Sequence, residues 1–538
     1  MLDNFASIFF LFSFAFFCFK RGKLLMQFFQ QEEYDNKRFF CHIFGNIRFI
    51  DKKLTIFVSL SFFIINAINL DLGAKLIIFA IIMQSFAASQ INPCGKKAKK
   101  ALLITPRVKR VLALYLIIFL LAIIAPYQKI LNPSKIEFLI YIIAITQFIP
   151  IFLIIANLLL KPYENWVQNN FLKQANEKIK NLPVTTIGIT GSYGKTSTKH
   201  ILSHILSFVA PTLATPGSVN TPMGITRIIR ENLKKEHKYF IAEMGAYGIG
   251  SIKRLCDLTN PDYGILTAVG DAHYERFKSI DNVAQAKFEL NQAVSKKNGK
   301  TIINSDGVDD KFIKKYGQNI ILVGQKNIDN NGYKILQIKQ SDKGIYLKIQ
   351  HKKKRYEINS PLFGIHHANN IAMSFAMAHN LGIDSDTIIA AQKTVPQIKH
   401  RLEIIKDKNS PIIIDDAYNS NPIGFAAALD ILKILKKKNG KSILVTPGMV
   451  ELGDLHNKKH KEVALIALKT VDVALIIMPQ RVQSFVDTFK ENMKKDQILL
   501  EFENFNQAKA WLDKNAKISD VILYENDLPD IYESKISL

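Results

Sequence analysis

Residues 191–196 read Gly-Ser-Tyr-Gly-Lys-Thr, and their types and spacing suit one defined chemistry, the holding of phosphate. They follow VTTIGIT (184–190), a short β-branched run that predicts a buried strand. They precede STKHILSHILSF, which has helical spacing. Strand, glycine turn and helix is the context of a phosphate loop. Gly191 and Gly194 let backbone N–H groups close around phosphate oxygens, and the helix N-terminus adds partial positive charge. Ser192, Tyr193 and Ser197 complete the candidate nucleotide contacts. Lys195 is placed to contact the β- and γ-phosphates, and the Thr196 hydroxyl to bind Mg²⁺. The long form G-x-x-x-x-G-K-[ST] asks for glycine at 189, where the chain has Ile189, so the match is to a shorter G-x-x-G-K-T.

A carboxylate, an imidazole and an amine follow at strand ends and on a helix. YFIAEMG (239–245) predicts a buried strand ending in Glu243. Ligand sites of parallel sheets lie at the carboxyl ends of strands, so Glu243 is a candidate metal ligand; its plain alternative is a capping carboxylate. YGILT (263–267) is another short strand, with His273 just beyond it and Lys287 on the next helix. Taken singly, His273 and Lys287 read as surface residues. Beside a phosphate loop, the three are more than a generic nucleoside triphosphatase requires.

The elements that must position these groups are α/β. Short strands alternate with helices from 184 to 395, which predicts a mostly parallel sheet with helices on both faces; with the phosphate turn this makes 183–395 a central nucleotide-binding domain. A second, smaller Rossmann-like α/β domain is expected over 396–538, with strands near 411–415, 442–446, 473–477 and 520–524. The cleft between the two domains would hold the reactants and close over them. Residues 161–182 read as a polar, amphipathic linker helix.

The first 160 residues differ in kind. The chain has 538 residues and a net charge of +25, with 48% hydrophobic and 22% charged residues, which excludes a wholly disordered protein. Four cysteines exclude a disulfide scaffold. Residues 1–160 carry 18 Lys+Arg against 7 Asp+Glu, and apolar runs at 5–19, 54–70, 76–92, 111–125 and 136–160. These runs predict an α-helical membrane domain of about five spans. Segments 20–53 and 95–110 hold 8 and 7 basic residues, whereas 71–75 and 126–135 hold only Lys75 and Lys129 with Lys135 at the edge. That bias puts the catalytic part in the cytoplasm of a multi-pass inner-membrane protein with the lipid bilayer as partner. The basic excess then needs no nucleic-acid partner. A signal peptide is the alternative for 1–19, although its basic residues follow the apolar run rather than precede it.

Several strings occur in order: TTIGITGSYGKTSTK, TPGSVNTPMGI (215–225), AEMGA around Glu243, the His273 and Lys287 pair, and DDAYNSNP (415–422). Together they resemble the Mur ligases, ATP-dependent amide-forming enzymes of peptidoglycan precursor synthesis. DDAYNSNP and GMVELGD (448–454) look most like the members that add D-alanyl-D-alanine to a UDP-N-acetylmuramoyl-tripeptide. The resemblance spans about 184–538 and omits the membrane-like part.

It implies that ATP phosphorylates a carboxylate and that an amine attacks the resulting acyl phosphate. It also implies the site: Lys195 and Thr196 for nucleotide and the first Mg²⁺, Glu243 and His273 for metal, and Lys287 carbamylated by CO₂ into an anionic metal ligand. Two Mg²⁺ ions are expected. Asn370, in GIHHANN (364–370), matches an adenine-contacting Asn, while His367 replaces another. Arg401 and Asp416 match ATP contacts from the second domain. Asn220, Thr221, Tyr418, Asn419 and Asn421 are candidate substrate contacts. Other cell-wall enzymes are candidate partners. The competing readings are a related ligase acting on a lipid-linked or polyamide substrate, a transporter driven by a P-loop ATPase, and an inactive scaffold. The transporter lacks its L-S-G-G-Q run.

Overall fold

A computed structural model describes residues 2–32, 34–44, 52–68, 70–89, 102–124, 135–270, 277–326, 328–417, 421–450 and 452–526. The chain divides into two compact units, one up to Gln168 and one over Asn169–Asp527.

The first unit is all helix among the described residues: Leu2–Gln31, Asn36–Phe44, Lys52–Ala67, Leu72–Ser89, Pro106–Ile124, Ile136–Gln147 and the start of Ile149–Lys180. Phe10, Phe14, Phe17, Phe79, Phe119 and Phe138 fill its core. A few polar contacts join helices inside it, such as Gln84 Nε2 to Ser13 Oγ (3.1 Å) and Tyr115 OH to the Cys18 carbonyl (2.9 Å). The outward faces are apolar as well. Phe5, Ile8 and Phe12, Ile56, Leu60 and Phe63, and Ile117 and Leu121 are exposed.

The expectation of five spans is corrected here. By length and composition one described helix can cross a membrane (Phe5–Gln31), or two if a bent pair counts as one span. The runs at 54–70 and 76–92 yield apolar helices of only Leu54–Ala67 and Leu72–Ala88. The run at 136–160, read as one long span, bends by 52° between Gln147 and Ile149. Pro150 explains the break: it lacks an N–H and fits only the first turn of the second helix. That second helix continues unbroken to Lys180, so the expected linker helix is its second half rather than a separate element. Ala175 and Ile179 near its end are buried in the core of the second unit.

The second unit contains two sheets. The first has nine strands in the order β2-β3-β1-β4-β5-β6-β7-β8-β9, in which β5 is Thr301–Asn304 and β6 is Ile320–Gly324. Its members that matter for the site are β1 (Thr185–Thr190), β2 (Thr212–Ala214), β3 (Tyr239–Glu243) and β4 (Tyr263–Leu266), all parallel. β7 (Tyr333–Ser341), β8 (Gly344–His351) and β9 (Lys354–Ser360) add an antiparallel edge. β1 is buried from Thr186 onward because helices cover both faces, which is why its sequence is apolar rather than alternating. The second sheet orders β10-β11-β15-β12-β13-β14. The expected strands appear as β11 (Ile412–Asp416), β12 (Ser442–Thr446), β13 (Val473–Ile477) and β15 (Val521–Glu525), while β10 (Glu403–Ile405) and β14 (Ile498–Phe502) were not foreseen. β10 is three residues long, and β14 has no buried residue and is interrupted by Glu501, so neither carries the signal of a buried strand.

Candidate functional site

β1 lies between β3 and β4, although the chain visits β2 and β3 before β4. Strand order reverses at this point, and a crevice opens at the carboxyl ends. Three loops converge there: Gly191–Gly194 after β1, Glu243 at the end of β3, and Thr267–Gly270 after β4.

The turn after β1 needs its glycines. Gly194 has φ +77°, a conformation L side chains disfavour, and a Cβ there would lie 2.6 Å from Asn370 Oδ1. Gly191 packs so closely on Thr267 that no side chain fits. The loop is held from β4: the Ser192 hydroxyl donates to the Gly270 carbonyl (3.0 Å) and accepts from its N–H (2.9 Å), and Thr267 Oγ1 donates to the Tyr193 carbonyl. Lys195 and Thr196 begin the helix Lys195–Ser207, whose first amides face the loop, and Ser197 is buried one residue on. Lys195 Nζ donates to the Gly191 carbonyl (2.7 Å), and its pKa falls to about 8, chiefly through burial, opposed by Glu243 and reinforced by Arg401.

Glu243 is 1% exposed, and its oxygens are divided. Oε1 accepts from Thr196 Oγ1 (3.1 Å) and Asn220 Nδ2 (3.3 Å), while Oε2 pairs with Lys199 Nζ (2.8 Å). A hydroxyl and a carboxylate oxygen this close are hard donors that suit Mg²⁺. Lys287, on the helix Ile280–Ser295, is 4% exposed. Burial, and then the charge of Lys195, push its pKa well below the usual lysine value, which favours the uncharged amine.

Asn370 begins a chain of buried contacts: its Oδ1 accepts from Thr198 Oγ1 (3.2 Å) and its amide nitrogen lies 3.2 Å from His367 Nδ1. Burial, with His366 and Arg401 adding to it, holds His367 neutral. Arg401 follows the junction to the second sheet yet acts electrostatically on Lys195 and His366. Asp416, at the end of β11, accepts from the Leu402 N–H (3.1 Å), and burial raises its pKa to about 7.

Two of the candidate substrate contacts also have a local structural role. Thr221 and Asn421 cap helices, accepting from the Gly224 N–H (3.4 Å) and the Gly424 N–H (3.0 Å). His273, Tyr418 and Asn419 lie outside the described residues. Sequence reasoning missed Lys199, buried against Glu243, and His200, whose Nε2 lies 2.9 Å from the Pro396 carbonyl. Their signal was only that a lysine and a histidine follow the phosphate turn by one helical turn.

Residues 189–378 match the Mur ligase middle domain and residues 400–524 the Mur ligase glutamate ligase domain. Over these two blocks the chain belongs to the Mur ligase family. It is 32% identical over 282 residues to the UDP-N-acetylmuramoyl-tripeptide--D-alanyl-D-alanine ligase of Buchnera aphidicola, covering 52% of this chain and 59% of that protein. The same-named protein of Bacillus subtilis is 27% identical over 376 residues, 68% of this chain and 79% of its own length. The Escherichia coli one is 29% identical over 283 residues, 52% and 62% respectively. The chain thus spans less than two thirds of the Buchnera and Escherichia relatives. Among solved structures, MurF from Acinetobacter baumannii aligns with a TM-score of 0.59 at 23% identity, over 68% of this chain and 78% of that one. MurF from Thermotoga maritima, in complex with ADP, gives 0.58 at 24%, over 68% and 81%. These structures share the two-sheet α/β fold.

Proposed function

We propose that the chain is an ATP-dependent ligase that joins D-alanyl-D-alanine to UDP-N-acetylmuramoyl-tripeptide in peptidoglycan precursor synthesis. One observation carries the reading: the phosphate turn and the Thr196–Glu243 oxygen pair lie at one strand-order reversal, with the buried Lys287 within electrostatic reach of Lys195. The names of the relatives support the choice of substrate.

Each group has work in such a reaction. A carboxylate is a poor electrophile at neutral pH, and phosphorylation gives it a leaving group. The tripeptide carboxylate oxygen attacks the γ-phosphorus and ADP leaves. The dipeptide amine then attacks the acyl carbon, loses a proton, and phosphate leaves. The backbone amides after Gly191 and the Lys195 ammonium offset phosphate charge. Thr196 and Glu243 would hold Mg²⁺, which supplies charge neutralisation when bound. The Lys287 amine would add CO₂ and lose a proton, and the carbamate would present anionic oxygens where an ammonium has no lone pair. Asn370, Arg401 and Asp416 would hold the nucleotide from its far side.

The helical unit would attach the enzyme to the bacterial inner membrane with the ligase domains in the cytoplasm. Support comes from its outward apolar faces, since a soluble bundle turns such side chains inward. Tyr163 and Trp166, exposed just beyond the apolar stretch, suit a headgroup layer. The same surface motivates a second reading, a related ligase acting on a lipid-linked precursor.

The test is phosphate release by detergent-purified protein with ATP, Mg²⁺ and UDP-MurNAc-tripeptide, with and without D-Ala-D-Ala. Dipeptide-dependent release with a UDP-pentapeptide product is expected. Turnover of lipid-linked substrate alone would replace this reading with the second. Alkaline carbonate should leave the protein in the membrane pellet; release into the supernatant would overturn the attachment.

A further inference from the structure

Lys199 stands one helical turn beyond Lys195 and is buried. Its ammonium makes two contacts, to Glu243 Oε2 (2.8 Å) and to the Gly217 carbonyl. The second contact belongs to the 215–221 segment, which also holds the Glu243 backbone N–H and one carboxylate oxygen. Thr215 Oγ1 accepts from the Glu243 N–H (3.1 Å), and Asn220 Nδ2 donates to Oε1 (3.3 Å). The Asn220 carbonyl also accepts from the Gly245 N–H (3.0 Å). One ammonium therefore commits one oxygen of the candidate metal ligand, leaves the other beside Thr196, and pins the adjoining loop.

A pair this buried is a poor source of stability. Desolvation of two ions offsets most of their attraction, and an apolar pair of the same shape commonly does as well. Its use is better sought in what it positions. A full positive charge beside Glu243 also opposes any divalent cation on the same carboxylate, because charges a few ångströms apart in a buried site interact strongly.

We propose that Lys199 is a positioning residue that presents Glu243 to the divalent cation through Oε1 alone, and that couples this carboxylate to the 215–221 loop. The proposal rests on the ligase reading above for its metal and nucleotide. It assigns Lys199 two separable effects: it weakens intrinsic cation binding, and it orders the geometry that makes the bound cation productive.

The test uses the detergent-purified full chain with Lys199→Met and Lys199→Arg, with Mn²⁺ as the spectroscopic stand-in for Mg²⁺. Mn²⁺ binding in the presence of ADP is followed by electron paramagnetic resonance, and turnover by phosphate release. Lys199→Met is expected to bind Mn²⁺ about tenfold tighter or more, because Glu243 then keeps its full charge. Its kcat should fall and its KM for the carboxylate substrate should rise. Lys199→Arg should return Mn²⁺ affinity to the wild-type value and recover part of kcat. Unchanged or weaker Mn²⁺ binding in Lys199→Met would overturn the proposal, since loss of a merely structural contact does not tighten a metal site. Should Lys199→Met fail to fold, Lys199→Gln, which keeps a donor without the charge, carries the same readouts. Failure of the ligase reading is distinguishable: wild-type turnover would then ignore the dipeptide while the Mn²⁺ shift persisted.

Discussion

Gly194→Ala isolates what the phosphate turn demands of its backbone. The residue sits at φ +77°, where an L side chain costs about 1–2 kcal/mol. The new Cβ would also stand 2.6 Å from Asn370 Oδ1. The amide can swing away, but it then gives up its bond from Thr198 Oγ1 (3.2 Å), worth about 1 kcal/mol. Together these come to about 2–3 kcal/mol. The loop can relieve the strain by leaving its phosphate-cradling form, and nucleotide binding must then restore it. ATP affinity should fall about 30- to 150-fold, measured by titration of a fluorescent ATP analogue. A double-mutant cycle with Asn370→Ala separates the two causes. Removing the Asn370 amide abolishes the clash but not the backbone strain, so the double variant should bind better than the sum of single losses predicts by about 1 kcal/mol. Strict additivity, or wild-type affinity in Gly194→Ala, would refute the reasoning.

Lys287→Ala should lower turnover by at least about tenfold, and added formate or acetate should restore part of it by supplying the missing anionic oxygens; wild-type turnover would remove the carbamate from the mechanism. Asp416 carries a pKa raised from 3.8 to about 7 by burial, so the folded state favours its neutral form. That contribution is complete below the unfolded-state pKa and is lost as pH rises through about 7, by at most about 4 kcal/mol. Asp416→Asn should therefore gain thermal stability relative to wild type as pH climbs from 4 to 8, and a pH-independent difference in unfolding temperature would contradict this. His200→Ala removes the 2.9 Å contact to the Pro396 carbonyl and should cost about 1 kcal/mol of stability by thermal unfolding, with no change if the contact is idle.

What the sequence determined by itself was local. The phosphate turn was legible because its chemistry is carried by consecutive residues, with β-branched strand before and helical spacing after. Glu243 was legible because it terminates a fully buried strand, where a carboxylate is out of place without a use. The α/β class of residues 184–524 followed from alternating patterns that depend on near neighbours. The apolar runs before residue 160 were equally plain, but their division into spans was not. Whether a run is one helix or a bent pair turns on a single residue such as Pro150 and on what packs around it.

Tertiary structure alone decided which distant residues share a charge or a hydrogen bond. Lys199 reads as a surface lysine until β3 places Glu243 against it. The Lys287 pKa falls only because its helix buries it within reach of the Lys195 charge. Thr221 and Asn421, polar residues in plausible substrate loops, turn out to cap helices. Arg401 lies two hundred residues from Lys195 yet lowers its pKa. Patterning along the chain reports only which face of an element is apolar. Desolvation and pairing depend on which elements meet there, and that is fixed by the order of strands in the sheet.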